Sequence, residues 1–93
     1  NWDSAFFVNF SGAWLVKITV QLQAYLEEYS PVGKSSFEYS VPEGAVVSDL
    51  ISRLGIPEEM ATVVIVGQTA ARMSDPLREG DTVTVIPPLA GGR

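Results

Sequence analysis

Between Trp14 and Leu26 the run WLVKITVQLQAYL alternates through its middle, with Val16, Ile18, Val20 and Leu22 on one face and Lys17, Thr19, Gln21 and Gln23 on the other. A period of two predicts a half-buried β-strand. The stretch Glu27 to Ser35 mixes charges with Pro31 and Gly33, and predicts a surface loop, longer than a tight hairpin, joining two antiparallel strands. Ser36 to Val41 alternates again with Phe37, Tyr39 and Val41 inward, and Pro42-Glu43-Gly44 closes it with turn residues. The period then changes: Val47, Leu50, Ile51 and Leu54 recur at helical spacing, with Ser48 or a neighbour expected to cap the start and Gly55 with Ile56-Pro57 to stop it. Thr62 to Val66 is a continuous run, TVVIV, rich in β-branched residues and predicted to fill a buried strand before a turn at Gly67-Gln68-Thr69. Ala70 to Met73 reads as a short strand, Asp75 to Asp81 as turns, and Thr82 to Ile86 as a last alternating strand. Pro87-Pro88 ends it, because proline has no backbone N–H to donate.

Two strands, a helix and two or three further strands bury all these faces most simply as an initial hairpin with one helix across the sheet and later strands adding to both sides. This is an α+β, β-grasp (ubiquitin-like) arrangement, with a mixed sheet of four to five strands. The chain divides into an N-terminal extension or remnant at 1–13, a domain at 14–86 and an extended tail at 87–93. No internal repeat or low-complexity segment interrupts that division.

Ninety-three residues form one domain, since two halves would each be too small to bury a core. The hydrophobic fraction of 46% and charged fraction of 18% fit an ordinary globular domain. Six basic against 11 acidic residues give a net charge of −5, which repels nucleic acid and favours a basic protein partner. The sequence holds no cysteine and no histidine, so thiol chemistry, disulfides and the commonest general base and metal ligand are excluded. The absence of cysteine also leans toward a reducing, cytoplasmic location. No apolar run approaches the ~20 residues of a membrane span. Residues Asn1 to Ala13 lack the basic start of a secretory signal and begin without Met, as a processed or trimmed start would. Their aromatics, Trp2, Phe6, Phe7 and Phe10, are costly to leave in water at about 25 cal/mol per Å² and are expected to bury against the domain or a neighbouring chain.

From Val64 onward, VIVGQTAARMSDPLREGDTVTVIPPLAGG resembles the MoaD and ThiS ubiquitin-like sulfur carriers, and is closer to MoaD. Leu77, the Gly80-Asp81 turn, the strand Thr82 to Ile86, Pro87-Pro88, the link Leu89-Ala90 and the Gly91-Gly92 pair follow one another as in that family. The resemblance extends to Leu15 through Gly92 in element order, with its specific part in the last third.

The tail composition has its own chemical logic. A carboxyl group that must reach one enzyme's nucleotide and then a second enzyme's closed site should sit on a narrow strand without side chains, as Gly91 and Gly92 provide. Pro87-Pro88 keeps its base extended. What the resemblance implies is that the Gly92 carboxylate is activated with ATP by a ubiquitin-activating-like adenylating enzyme, and that a sulfur donor enzyme then yields a thiocarboxylate. The same resemblance implies that the chain binds no cofactor of its own and is a carrier, not an enzyme, with ATP used by the partner. In the MoaD-like case the sulfur passes to a molybdopterin precursor within a synthase whose large subunit holds the active site.

Arg93 departs from the pattern, because a following residue turns the Gly92 carboxyl into an amide. Activation at Gly92 therefore requires a chain from which Arg93 has been removed by a peptidase, or to which it does not naturally belong. With Val83 and Val85 inward, Thr84 and Ile86 face out beside the tail; the resemblance, in which a large apolar residue just before the prolines packs on the partner, implies that they lie at the partner interface. Arg72 and Arg78, and the acidic residues Glu27, Glu28, Glu58, Glu59 and Glu79, read first as solvated surface, with steering toward a basic partner as the functional alternative. Two other functions use the same fold: a protein modifier that transfers the Gly92 acyl group to lysines, and a pure interaction module with an incidental tail.

Overall fold

The computed structural model describes residues 14–88; the extension at 1–13 and the tail residues Leu89 to Arg93 lie outside them. Five strands, β1 (Leu15–Leu22), β2 (Ser36–Pro42), β3 (Val63–Val66), β4 (Thr69–Ala71) and β5 (Thr82–Ile86), form a single sheet in the order β2-β1-β5-β3-β4. One helix, α1 (Val47–Leu54), packs on one face of it. β1 and β5 are parallel, and the other neighbours are antiparallel. The mixed sheet with one main helix is the expected β-grasp. The later strands do not add to both sides of the hairpin, however. β5 pairs with β1, and β3 and β4 follow beyond it, so among the described residues β2 is an edge.

Alternation decides the faces. Ile18, Val20 and Leu22 from β1, Phe37 and Val41 from β2, Val64 from β3 and Val83 and Val85 from β5 are buried against Val47, Leu50, Ile51 and Leu54 of α1. Phe37 and Tyr39 meet edge to face, with ring centroids 6.1 Å apart, a geometry that suits the aromatic quadrupoles. β3 is less enclosed than its composition suggests. Pairing puts it inside the sheet, yet α1 covers one face only, so Val64 is buried and Val63 is exposed.

The helix ends differ in how closely they follow the expectation. Its start is capped by Asp49, whose Oδ2 accepts the Val46 N–H at 3.0 Å, and not by Ser48. Asp49 also places a negative charge in the first turn, where the exposed N–H groups favour it. Gly55 takes φ 78 and its N–H reaches Ser52 O at 3.0 Å, the left-handed stop for which glycine is suited.

Beyond β1 the alternation expected to run on to Leu26 breaks. Ala24 takes φ 54, and Ala24–Tyr29 forms a 3-10 helix where the sequence suggested strand followed by loop. Leu26 is fully buried beneath it. A turn over the ends of β1 and β5 buries Leu26 without prolonging β1, while Ala24 and Tyr25 stay exposed. After the helix, Ser30 Oγ accepts the N–H groups of Val32 and Lys34, each at 3.2 Å, and this brings the chain round to β2.

Candidate functional site

β5 roots the tail, and the residues before it position β5. Leu77 is buried, and its N–H reaches Ala45 O at 2.9 Å, which ties the segment to the body below α1. Asp81 Oδ2 then accepts the Arg78 N–H at 2.9 Å. Gly80 turns with φ 87, a conformation in which a side chain is strained, and its N–H donates to Lys17 O at 2.9 Å. Glu79 Oε1 accepts the Lys17 N–H at 2.8 Å, and Asp81 O accepts the Thr19 N–H at 2.8 Å. The Gly-Asp turn thus extends the parallel ladder before β5 begins, and it sets the register Thr19 opposite Thr82 and Gln21 opposite Thr84. The pieces of the sequence motif that precede the tail are the parts that aim β5.

On the face away from α1, Thr84 and Ile86 are half-buried. Ile86 lies opposite Val63, and Thr84 opposite Ile65. The cross-strand partners supply what the sequence reading missed, an apolar patch of Ile86, Val63 and Ile65 next to the root of the tail. The signal lay in TVVIV: with Val64 turned inward, Val63 and Ile65 must turn outward. Thr84 Oγ1 donates to Gln21 Oε1 at 3.1 Å, so its hydroxyl already has a partner within the chain. Toward β2 the same face becomes polar, with Thr19, Lys17 and Glu38; Lys17 Nζ stands 3.8 Å from the Glu38 carboxylate, with both side chains open to solvent. Such a pair contributes little stability.

Where β5 ends, Pro87 is buried and Pro88 is exposed. The Tyr25 hydroxyl donates to Pro88 O at 3.2 Å, and the Gln23 N–H donates to Val85 O at 3.1 Å. The body therefore holds the stem as far as Pro88. Of Pro87, Pro88, Leu89, Ala90 and Gly91, expected from the sequence to thread the partner, only the two prolines are described; Leu89, Ala90, Gly91 and the expected reacting residue Gly92 lie outside the described residues. Among the described residues no cluster of acidic side chains suits a metal ion, and no helix is long and apolar enough to cross a membrane. Arg72 and Arg78 are exposed and act locally through their backbone, the Arg72 N–H donating to Asp75 Oδ2 at 3.0 Å.

Comparison with known proteins places this architecture. The sequence matches the model of the ThiS family over residues 20–92. Among solved structures, a candidate molybdopterin converting factor subunit 1 from Pyrococcus furiosus is 28% identical with a TM-score of 0.63, over 80% of this chain and 99% of that one. The HVO 2177 protein of Haloferax volcanii is 25% identical with a TM-score of 0.68, over 84% and 88% of the two chains. Small archaeal modifier protein 1 of Haloferax volcanii shares the fold at 21% identity, with a TM-score of 0.63 over 82% and 99%. No curated protein sequence matches the chain.

Proposed function

The chain belongs to the ThiS family, and from that premise we propose that it is a sulfur carrier whose Gly92 carboxylate, once Arg93 is absent, is adenylated and converted to a thiocarboxylate. The observation that carries this reading is that the family match runs through Gly92 while β5, the strand leading to it, is locked at both ends and flanked by the apolar patch of Ile86, Val63 and Ile65.

The chemistry asks little of the chain's side chains. A Gly92 carboxylate oxygen attacks the α-phosphorus of ATP in the partner adenylating enzyme, pyrophosphate leaves, and an acyl-adenylate remains. Hydrosulfide, delivered by a sulfur donor enzyme, attacks the acyl carbon and displaces AMP with loss of a proton, leaving the thiocarboxylate. The carrier contributes binding and presentation, and a sequence without Cys or His suffices for both. Leu89, Ala90 and Gly91 are the segment that threads the partner's channel, and Pro87 and Pro88, held by the body, are the stem that presents it. Ile86 and its neighbours dock on the partner, and Thr84 borders the contact. The sulfur acceptor we favour is a molybdopterin precursor, held by a synthase large subunit in the cytoplasm; the likeness to the Pyrococcus protein, which covers nearly all of that chain, supports it. The shared fold with an archaeal modifier protein keeps transfer to protein lysines as the second reading.

ATP–pyrophosphate exchange tests the first step. A chain ending at Gly92, mixed with a ubiquitin-activating-like adenylating enzyme from the same cell, is expected to support exchange. Ile86→Asp is expected to raise the KM for the carrier by about 10- to 100-fold, the loss of one apolar side chain's burial, while its urea midpoint confirms that it is folded. Exchange absent from the unmodified Gly92 chain would refute the carrier reading and favour an interaction module. Exchange unaffected by Ile86→Asp would remove the patch from the interface.

A further inference from the structure

We infer that Tyr25 is a positioning residue for the tail: its hydroxyl holds the Pro88 carbonyl and so fixes the orientation of the last peptide unit of the stem, the one from which the reactive segment hangs. The inference rests on the proposed carrier function and adds to it a residue outside the motif that led there.

Consecutive prolines pose a particular problem at the end of a strand. Neither Pro87 nor Pro88 has an N–H to donate, so the body can tie the stem by hydrogen bonds only through the stem's carbonyl oxygens. Burial anchors Pro87, but Pro88 is exposed, and rotation about its backbone would swing everything beyond it. The Tyr25 hydroxyl donates to the Pro88 oxygen at 3.2 Å, across 63 positions of sequence.

The donor itself stands on a fixed base. Immediately before Tyr25, Ala24 takes φ 54, a region that alanine seldom adopts. Immediately after it, Leu26 is fully buried. One residue before Ala24, the Gln23 N–H donates to Val85 O at 3.1 Å on β5 itself. A strained residue, a buried anchor and a tie to the strand that carries the stem hold Tyr25 on three sides. Its ring is nevertheless 42% exposed, so core packing does not account for its presence there. Backbone strain held in place by its surroundings is a feature that gathers at functional sites, and this strain delivers a phenol to the stem.

A positioning role and a structural one differ in what they change. Removing the hydroxyl by Tyr25→Phe keeps the ring and loses one hydrogen bond, so a carrier ending at Gly92 should show a KM in ATP–pyrophosphate exchange raised about three- to tenfold, with kcat and the urea midpoint unchanged. Tyr25→Ala should raise KM at least as far. A KM unchanged in both variants, or a loss confined to kcat, overturns the inference. A second measurement does not depend on the adenylating enzyme: the carbon-13 resonance of the Pro88 carbonyl should move in Tyr25→Phe while the Leu22 carbonyl stays in place. An unmoved Pro88 resonance overturns the hydrogen bond even where exchange fails altogether, a failure that counts against the carrier function and leaves the Pro88 resonance to decide the role of Tyr25.

Discussion

A chain that keeps Arg93 is expected to give no acyl-adenylate at Gly92, whereas the same chain ending at Gly92 is expected to give one. The carbonyl carbon of Gly92 is joined to nitrogen in the longer form, and an amide presents no carboxylate oxygen to attack the α-phosphorus of ATP. The effect is complete and not graded, because no rearrangement of the body restores the missing nucleophile. The body should be indifferent to the difference: the core that holds β5 is built from residues no later than Val85, and the last described hydrogen bond reaches Pro88. Exchange assays on the two forms, with urea unfolding alongside, separate the chemistry from the fold. Equal stability with exchange in the shorter form alone is the expected result. Exchange in a longer form that still carries Arg93 by mass would mean that some other carboxyl is activated.

The second large effect concerns the fold. Leu26→Ala is expected to lower the unfolding free energy by about 2–5 kcal/mol, a large share of the roughly 5–15 kcal/mol that holds a domain together. Leu26 has no solvent exposure and is the only buried residue of the 3-10 helix Ala24–Tyr29, so it is that helix's main apolar anchor, with the partly buried Tyr29 packed beside it. Truncation leaves a cavity beside the turn that Ala24 makes at φ 54. Urea unfolding measures this through a lower midpoint at an unchanged slope. A loss below about 1 kcal/mol would show that the helix relaxes into the space, and that Leu26 does not anchor Tyr25.

The readable parts of this molecule are those in which one physical pattern dominates. Val83 and Val85 alternate with Thr82, Thr84 and Ile86, and Gly80-Asp81 and Pro87 bracket them, so the bounds of β5 follow from sequence. The spacing of Val47, Leu50, Ile51 and Leu54 likewise gives α1 and its buried face. Three features were hidden for definite reasons. The cap of α1 falls to Asp49 because several polar side chains near a helix start can satisfy its free N–H groups, and only geometry chooses among them. The strand order was hidden because alternation tells which face a strand buries but not which neighbour it pairs with; the Lys17 carbonyl receiving the Gly80 N–H is a contact across 63 positions. The 3-10 helix was masked by Leu26, whose burial continues the parity of β1 after the strand has ended.

The candidate site divides in the same way. The chemistry proposed for it rests on Gly91-Gly92, which lie outside the described residues, and on a sequence without Cys or His. Its surroundings could not be read from the sequence. Val63 and Ile65 join Ile86 only through the β3–β5 pairing, and Tyr25 meets Pro88 only because Ala24 turns the chain.

The most direct test is the mass of the C-terminal peptide after the Gly92 chain has been incubated with ATP, its adenylating enzyme and a sulfur source. The account predicts replacement of one oxygen by one sulfur, confined to Gly92 and dependent on ATP. A C-terminal peptide of unchanged mass, under conditions in which pyrophosphate exchange shows the adenylate to form, would contradict sulfur carriage; adducts on target lysines in its place would give the chain the role of a protein modifier.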